Sequence, residues 1–145
     1  LGIAVLTADC VPIVIAADDG SVVGVAHGGW RGLFDGVLRE LVAAMQATPT
    51  ALSAWIGPAI SVAAYEVGED VAERTRAAGR QDALCSGTRP GKYQLDLPRV
   101  AEYQLAELGV REVFQSGICS VASPHAYSYR RDGVTGRMAT VAWLR

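Results

Sequence analysis

The N-terminal segment constrains the fold most, because it joins a long apolar run to a turn signal and a second apolar run. Residues 1–17 are rich in valine, isoleucine, leucine and alanine, with little alternation after Cys10. Such a run is typical of a strand that is buried on both faces. The sequence Asp-Asp-Gly-Ser at 18–21 favours a tight hairpin. Residues 21–27 are therefore predicted to form the antiparallel return strand.

A two-residue turn at this Asp-Gly pair would set the register of the hairpin. Cys10 would then lie opposite Gly29, and His27 opposite Pro12. Cys10 and His27 would share one face as diagonal neighbours, with Cβ atoms roughly 7 Å apart. A zinc ion needs sulfur at about 2.3 Å and nitrogen at about 2.0 Å. The pair could bind such an ion, or form a direct Cys–His contact.

The same two residues also have a purely structural interpretation. A loop of odd length would move one of them to the other face of the hairpin. Whatever the register, Cys10 could also be simply a buried small hydrophobic residue, and His27 a hydrogen-bonded residue at the end of a strand. Cys10, Cys85 and Cys119 are widely spaced without a CxxC motif, which argues against a disulfide scaffold and is typical of the reducing cytoplasm.

A glycine-rich corner at 28–32 follows the return strand. Gly29 would let a ligand approach the backbone closely, and the start of the following helix offers free amide donors to an anion. Arg31 would add a forked donor pair for phosphate or carboxylate, and Trp30 could stack on a flat ring. The structural alternative is a tight strand-to-helix turn with Trp30 in the core.

The rest of the chain predicts alternating helices and strands. Asp96 and Gly109 mark the start and end of the clearest capped helix, with Pro98 in its first turn. The other predicted elements are one helix from residue 33 to 45, strand 52–56, helix 69–78, loop 81–92, strand 112–119, loop 120–124, and strands 127–131 and 138–144. This order predicts one α+β domain over residues 1–145, with layered mixed β-sheets flanked by helices.

Arginines cluster at the predicted C-terminal hairpin. Arg130, Arg131 and Arg137 would lie on its tight turn, where they could clamp an anionic substrate or form a solvated tip. His125, in the preceding loop, is either a base or simply exposed. Burial is the expected role of Cys119.

Composition excludes several classes of protein. The chain has 145 residues, of which 50% are hydrophobic and 19% charged, so it is not intrinsically disordered. A net charge of −2 argues against a dedicated nucleic-acid binder, and no apolar run approaches the length of a membrane span. The signatures of zinc deaminases, zinc metalloproteases and α/β-hydrolases are missing.

Seven short motifs carry a resemblance to a known family. They are TADCVP at 7–12, HGGWRG at 27–32, IGPAI at 56–60, YEVG at 65–68, LDL at 95–97, SYRRDG at 128–133 and TGR at 135–137. In this order they resemble the laccase-domain family, now described as multifunctional purine nucleoside phosphorylases and formerly as polyphenol oxidases.

The resemblance implies a zinc enzyme with two histidine ligands and one cysteine ligand. Cys10 and His27 match the cysteine and the second histidine, whereas the family's first histidine lies upstream of Leu1. We therefore expect an N-terminally shortened member. The implied reactions are phosphorolysis of adenosine, inosine, guanosine and methylthioadenosine, and deamination of adenosine. Phosphate would be held by Arg31 and the helix amides, with help from Arg130 or Arg137.

The resemblance also implies a fold like the catalytic domain of cytotoxic necrotising factor toxins, which uses a Cys–His pair as a deamidase. Some family members are linked to amide hydrolysis in peptidoglycan-precursor editing. The alternative function is therefore a cysteine hydrolase with Cys10 as nucleophile and His27 as base. A copper-dependent polyphenol oxidase is expected less, because blue-copper sites need more ligands. An inert fragment is the third possibility. The expected ligands are purine nucleosides and phosphate, without nucleic acid or membrane, and the sequence does not indicate an oligomeric state.

Overall fold

Nine strands and five helices follow one another along the chain, and the computed structural model describes residues 1–145. In chain order the elements are β1 (Gly2–Thr7), β2 (Val11–Ala17), β3 (Val23–Gly28), α1 (Trp30–Asp35), α2 (Val37–Met45), β4 (Leu52–Ile56), β5 (Glu66–Val67), α3 (Glu69–Ala77), β6 (Leu84–Ser86), β7 (Tyr93–Leu95), α4 (Leu97–Glu107), β8 (Glu112–Gln115), α5 (Tyr129–Asp132) and β9 (Met138–Trp143). The predicted combination of mixed sheets and helices is confirmed. No helix has both the length and the apolar character needed to cross a bilayer.

The central sheet contains the predicted hairpin. Its strand order is β3-β2-β4-β8, with β4 and β8 parallel and the other pairs antiparallel. Pro12 lies opposite His27, as predicted. The loop is wider than a two-residue turn, because the Ala17 N–H donates to the Val22 carbonyl. This adds one residue on each side of the Asp-Gly pair, so the loop length stays even and the register is unchanged.

The prediction of a single strand over residues 1–17 is wrong. The chain turns sharply at Asp9, whose φ is 92°, and this turn separates β1 from β2. β1 pairs with β9 in an antiparallel two-stranded ribbon that contacts β3. The burial pattern of β1 alternates, whereas β2 is buried along most of its length. The positive φ of a non-glycine residue is a break that an apolar pattern does not reveal.

The core lies between the central sheet and the helices. Val11, Ile13 and Ile15 on one face of β2 are fully buried, and they belong to the same cluster as residues of α1, α2 and α4. The single helix predicted after the glycine-rich corner is two helices, because Gly36 adopts a φ of 95°. The predicted start of α4 is confirmed, since the Asp96 side chain accepts a hydrogen bond from the Arg99 N–H.

Short elements account for the remaining corrections. Residues 81–92 are not all loop, because β6 pairs with β7 in a small sheet of order β5-β7-β6. The predicted strand 112–119 ends at Gln115, and Cys119 forms only an isolated bridge with Ala59. The predicted strand 127–131 is wrong as well. Ser128 is an N-cap residue there, and its side chain accepts from the Arg131 N–H to begin α5. The second predicted C-terminal strand is confirmed as β9.

Candidate active site

Cys10 lies at the corner between β1 and β2, half-buried against the glycine-rich corner. A Cβ atom added to Gly29 would lie 3.2 Å from the Cys10 Sγ, so the sulfur packs against the backbone at residue 29. The hairpin register therefore continues one pair beyond β2, as predicted. The Gly29 backbone is in close contact with the Cys10 side chain, and its role in ligand binding stays a prediction.

His27 is exposed on β3, directly opposite Pro12. Because side chains alternate along a strand, Cys10 and Pro12 lie on the face of β2 opposite Val11 and Ile13. The latter two are in the core. Cys10 and His27 therefore belong to the outer face of the sheet, on the side predicted from the register.

The ribbon brings a cationic side chain to the same corner. Thr7 is paired with Met138, the last pair of the ladder, so Cys10 and Arg137 leave the ribbon at the same end. Burial raises the pKa of the Cys10 thiol, the Asp9 charge raises it further, and the Arg137 guanidinium lowers it. The net effect is a raised pKa, so the free thiol stays protonated at neutral pH.

Tyr65 lies among several of the predicted site residues. Burial raises its pKa to about 12, and the neighbouring Cys10 adds to this effect while Arg130 and Arg31 oppose it. The guanidinium carbon of Arg130 lies 5.2 Å from the centre of the Tyr65 ring. Arg130 Nη1 also donates to the Glu66 carbonyl at 3.1 Å. Arg130 therefore lies against the half-buried phenol, and Cys10 and Arg31 are near enough to shift its pKa.

Trp30 is half-buried, and the guanidinium of Arg31 stacks on its ring. The guanidinium carbon of Arg31 lies 4.3 Å from the ring centre, within the range of a cation–π contact. Trp30 packs against the edge of the core and is not enclosed by it. The two residues thus present an aromatic surface and a positive charge side by side at the start of α1.

Arg131 does not belong to this cluster of cations. Its Nη1 donates to the carbonyls of Ser120, Val121 and Ser123, and its Nη2 donates to the Ala126 carbonyl. The predicted hairpin tip with three arginines is therefore wrong. Arg131 fixes the 120–126 loop to α5.

Asp9 and Tyr65 were missed as site residues by sequence reasoning. Asp9 is only 8% exposed, and its two carboxylate oxygens accept hydrogen bonds at 2.6 Å from Ser120 Oγ and from the Arg130 N–H. Both missed residues lie inside motifs that carry the family resemblance, at 7–12 and 65–68. Those motifs were the available signal.

The remaining candidates lie apart from this cluster. His125 is exposed in the loop before α5, and Cys85 is exposed on β6. Cys119 is half-buried. Burial raises the pKa of its thiol, but hydrogen bonds from the Ser61 hydroxyl and from nearby backbone N–H groups outweigh this effect and lower the pKa. All three cysteines are free thiols.

The residues of this chain do not form a complete metal site. No group of three or more histidine, cysteine, aspartate or glutamate side chains is placed to hold an ion. Cys10 and His27 offer two donors, and both oxygens of the neighbouring Asp9 carboxylate already accept hydrogen bonds. Catalytic zinc sites use three protein ligands. A zinc site here would need a further ligand from outside these 145 residues.

Known proteins resemble this chain along its whole length. A protein named purine nucleoside phosphorylase from Xylella fastidiosa is 47% identical over 97% of this chain and 55% of its own length. Another so named, from Escherichia coli, is 40% identical over 97% of this chain and 58% of its own length. The chain thus spans a little more than half the length of these curated relatives.

Solved structures show the same likeness. A Neisseria meningitidis protein superposes with a TM-score of 0.93 at 42% identity, covering 99% of this chain and 60% of that protein. A Geobacillus stearothermophilus protein superposes with a TM-score of 0.92 at 33% identity, covering 100% of this chain and 57% of that one. The sequence profile of the multi-copper polyphenol oxidoreductase laccase family matches residues 1–145. The chain therefore belongs to this family, which the TADCVP and HGGWRG motifs had indicated.

Proposed function

We propose that this chain carries the phosphate-binding and nucleoside-binding residues of a purine nucleoside phosphorylase. The observation that carries the proposal is that Arg130 lies against the Tyr65 ring, while Arg31 and Cys10 are near enough to shift the pKa of Tyr65 and Arg137 is near enough to shift the pKa of Cys10. The names of the relatives support the same reaction. The proposed substrates are adenosine, inosine, guanosine and methylthioadenosine.

The proposed reaction transfers a ribosyl group to phosphate. An oxygen of inorganic phosphate attacks C1′ of the nucleoside, and the bond from C1′ to the purine nitrogen breaks. The bonding electron pair leaves with the purine, which takes up a proton, and the sugar leaves as its 1-phosphate. Guanidinium groups suit the phosphate because their planar forks donate paired hydrogen bonds to its oxygens.

Arg31 and Arg130 are held in place before phosphate arrives. Arg31 is stacked on Trp30, and Arg130 is fixed by Tyr65 and the Glu66 carbonyl. Preorganised charges of this kind need little rearrangement when the anion binds and when charge develops at the reacting centre. The rings of Trp30 and Tyr65 provide the flat surfaces that we assign to the purine.

We further propose that the protein binds zinc and deaminates adenosine. In it, Cys10 and His27 supply the sulfur and nitrogen donors, and a third ligand comes from outside this chain. A bound zinc would supply an activated water for attack on C6 of the adenine ring, from which the amino group would leave as ammonia. No step of the phosphorolysis described above is routed through a metal.

The cysteine hydrolase alternative fits the site less well. A cysteine nucleophile reacts as the thiolate, and the raised pKa of Cys10 keeps the free thiol protonated at neutral pH. A copper oxidase is disfavoured for a different reason. Cys10 and His27 provide one sulfur and one nitrogen donor, which are fewer ligands than blue-copper sites use.

Release of hypoxanthine from inosine, with and without phosphate, tests the proposal. We expect release only when phosphate is present. We also expect Arg31→Ala to raise the KM for phosphate by about tenfold or more, since it removes a charge-assisted pair of hydrogen bonds. Arg39→Ala, on the exposed surface of α2, is the matched control and should leave the KM unchanged. Release without phosphate, or no release at all, would contradict the proposal.

A further inference from the structure

Asp9 combines an unusual backbone conformation with a buried carboxylate. Its φ of 92° lies in the region that favours glycine, yet the residue carries a side chain that is almost fully buried. A residue remains in such a conformation only when its surroundings hold it there. The contacts of Asp9 are therefore a guide to what the conformation achieves.

The contacts of Asp9 join the β1–β2 corner to three other segments of the chain. Its main chain lies at the β1–β2 corner beside Cys10, and its carbonyl accepts from the Ile60 N–H at 2.9 Å. One carboxylate oxygen accepts from Ser120 Oγ and the other from the Arg130 N–H, both at 2.6 Å. The carboxylate is thus the direct link between the Cys10 corner and the first turn of α5.

The segment that carries Arg130 has a second attachment, made by Arg131. Arg131 fixes α5 to the 120–126 loop through four main-chain carbonyls. Loss of the Asp9 carboxylate would therefore leave α5 attached to that loop while releasing it from the Cys10 corner. The expected result is a shift of the Arg130 main chain that weakens the contacts of its guanidinium with Tyr65 and the Glu66 carbonyl and moves the guanidinium relative to Cys10, without loss of the core.

We propose that Asp9 is a positioning residue that sets the place of Arg130 relative to Cys10 and thereby the affinity for phosphate. Its carboxylate does not touch the substrate and acts through the main chain of Arg130. The inference rests on the proposed function for its kinetic consequence, but the positioning itself is measurable without turnover.

Two substitutions separate hydrogen bonding from charge. Asp9→Asn keeps an oxygen to accept from the Arg130 N–H, its amide can donate to a reoriented Ser120 hydroxyl, and asparagine tolerates a positive φ. Asp9→Gly removes the carboxylate at a φ that glycine adopts freely. Asp96→Gly is the matched control, because Asp96 accepts from a main-chain N–H at the start of α4 in the same way.

Amide hydrogen exchange, measured by NMR, tests the positioning. We expect the Arg130 amide to exchange about tenfold faster or more in Asp9→Gly and near the native rate in Asp9→Asn. Amides of β2 and β4 should keep their protection in both variants. An unchanged rate at Arg130 in Asp9→Gly would overturn the inference whatever the activity of the protein.

Kinetics of inosine phosphorolysis test the consequence. We expect Asp9→Gly to raise the KM for phosphate by about tenfold, Asp9→Asn by less than about threefold, and Asp96→Gly not at all. In an Arg130→Ala background, Asp9→Gly should raise the KM for phosphate by less than about twofold further, because the guanidinium that Asp9 positions is gone. Equal losses in Asp9→Asn and Asp9→Gly, or full additivity with Arg130→Ala, would overturn the inference. Absence of phosphorolysis in the unmutated chain would contradict the proposed function alone.

Discussion

The β2–β3 hairpin and the segment from Ser120 to Arg137 both reach the candidate site, but they are held in different ways. The hairpin is fixed by a regular hydrogen-bond ladder and by residues that are fully buried in the core. The C-terminal segment is fixed by individual side chains, above all Arg131 and Asp9, that bind main-chain groups. A ladder distributes its stability over many equivalent bonds, whereas the second arrangement depends on a few.

Truncation of the buried side of the hairpin should have the largest effect. Ile13 is fully buried on the core face of β2. We expect Ile13→Ala to lower the free energy of unfolding by about 2–5 kcal/mol, because it removes buried methyl groups and leaves a cavity. Urea titration followed by circular dichroism measures this loss. Val134→Ala, at a site that is 99% exposed, is the control and should change little; similar effects of the two substitutions would contradict the assigned core.

Replacement of Arg131 should affect only the C-terminal segment. Arg131→Lys keeps the positive charge, but a single ammonium group cannot bind the four carbonyls that the guanidinium reaches. We expect chymotrypsin to cleave after the exposed Tyr127 or Tyr129 about tenfold faster, through local opening. Arg39→Lys is the matched control. If cleavage instead rises throughout the chain, Arg131 stabilises the whole fold and the contrast between the two segments fails.

A smaller effect is expected where the two regions meet at Cys10. Gly29 has a φ of −75°, so alanine fits its backbone, and the added Cβ would lie 3.2 Å from the Cys10 sulfur. We expect Gly29→Ala to cost about 1 kcal/mol or less and to slow alkylation of Cys10 by crowding its sulfur. Mass spectrometry of the alkylated peptide measures the rate. An unchanged rate would show that residue 29 does not cover the thiol.

The smallest predicted effect is a difference in pKa between the thiols of Cys10 and Cys119. The alkylation rate follows the thiolate fraction, so its midpoint should lie above the ordinary pKa of 9.0 for Cys10 and below it for Cys119. Cys10 is shifted upward by burial and by Asp9, whereas hydrogen bonds from Ser61 and backbone amides stabilise the Cys119 thiolate. Rate profiles in a Cys85→Ser background measure both midpoints. The reverse order would contradict the assigned environments.

The hairpin and its register were predictable because local rules determine them. An even loop between two apolar runs places His27 opposite Pro12, whatever the rest of the chain does. The Asp96 cap follows from a similarly local pattern, in which the side chain accepts from an N–H three residues later. The face shared by Cys10 and His27 follows from the same register.

The parts that sequence reasoning missed depend on contacts between distant residues. Residues 127–131 have the composition of a strand, but Ser128 caps a short helix whose position is set by the carboxylate of Asp9. The partner of β1 is β9, at the opposite end of the chain, and no periodicity in either strand specifies that pairing. An arginine such as Arg131 is a residue type that often binds anionic ligands, yet its guanidinium donates hydrogen bonds to main-chain carbonyls instead.

The ribbon has a mechanical consequence. Gly2 is paired with Trp143 and Thr7 with Met138, so Gly2 and Trp143 lie at one end of the ladder and Cys10 and Arg137 lie beyond the other. Tension applied to Gly2 and Trp143 would break the hydrogen bonds of this ladder one pair at a time, starting from that end. The last pair to part would be the one that holds the cysteine beside the arginine.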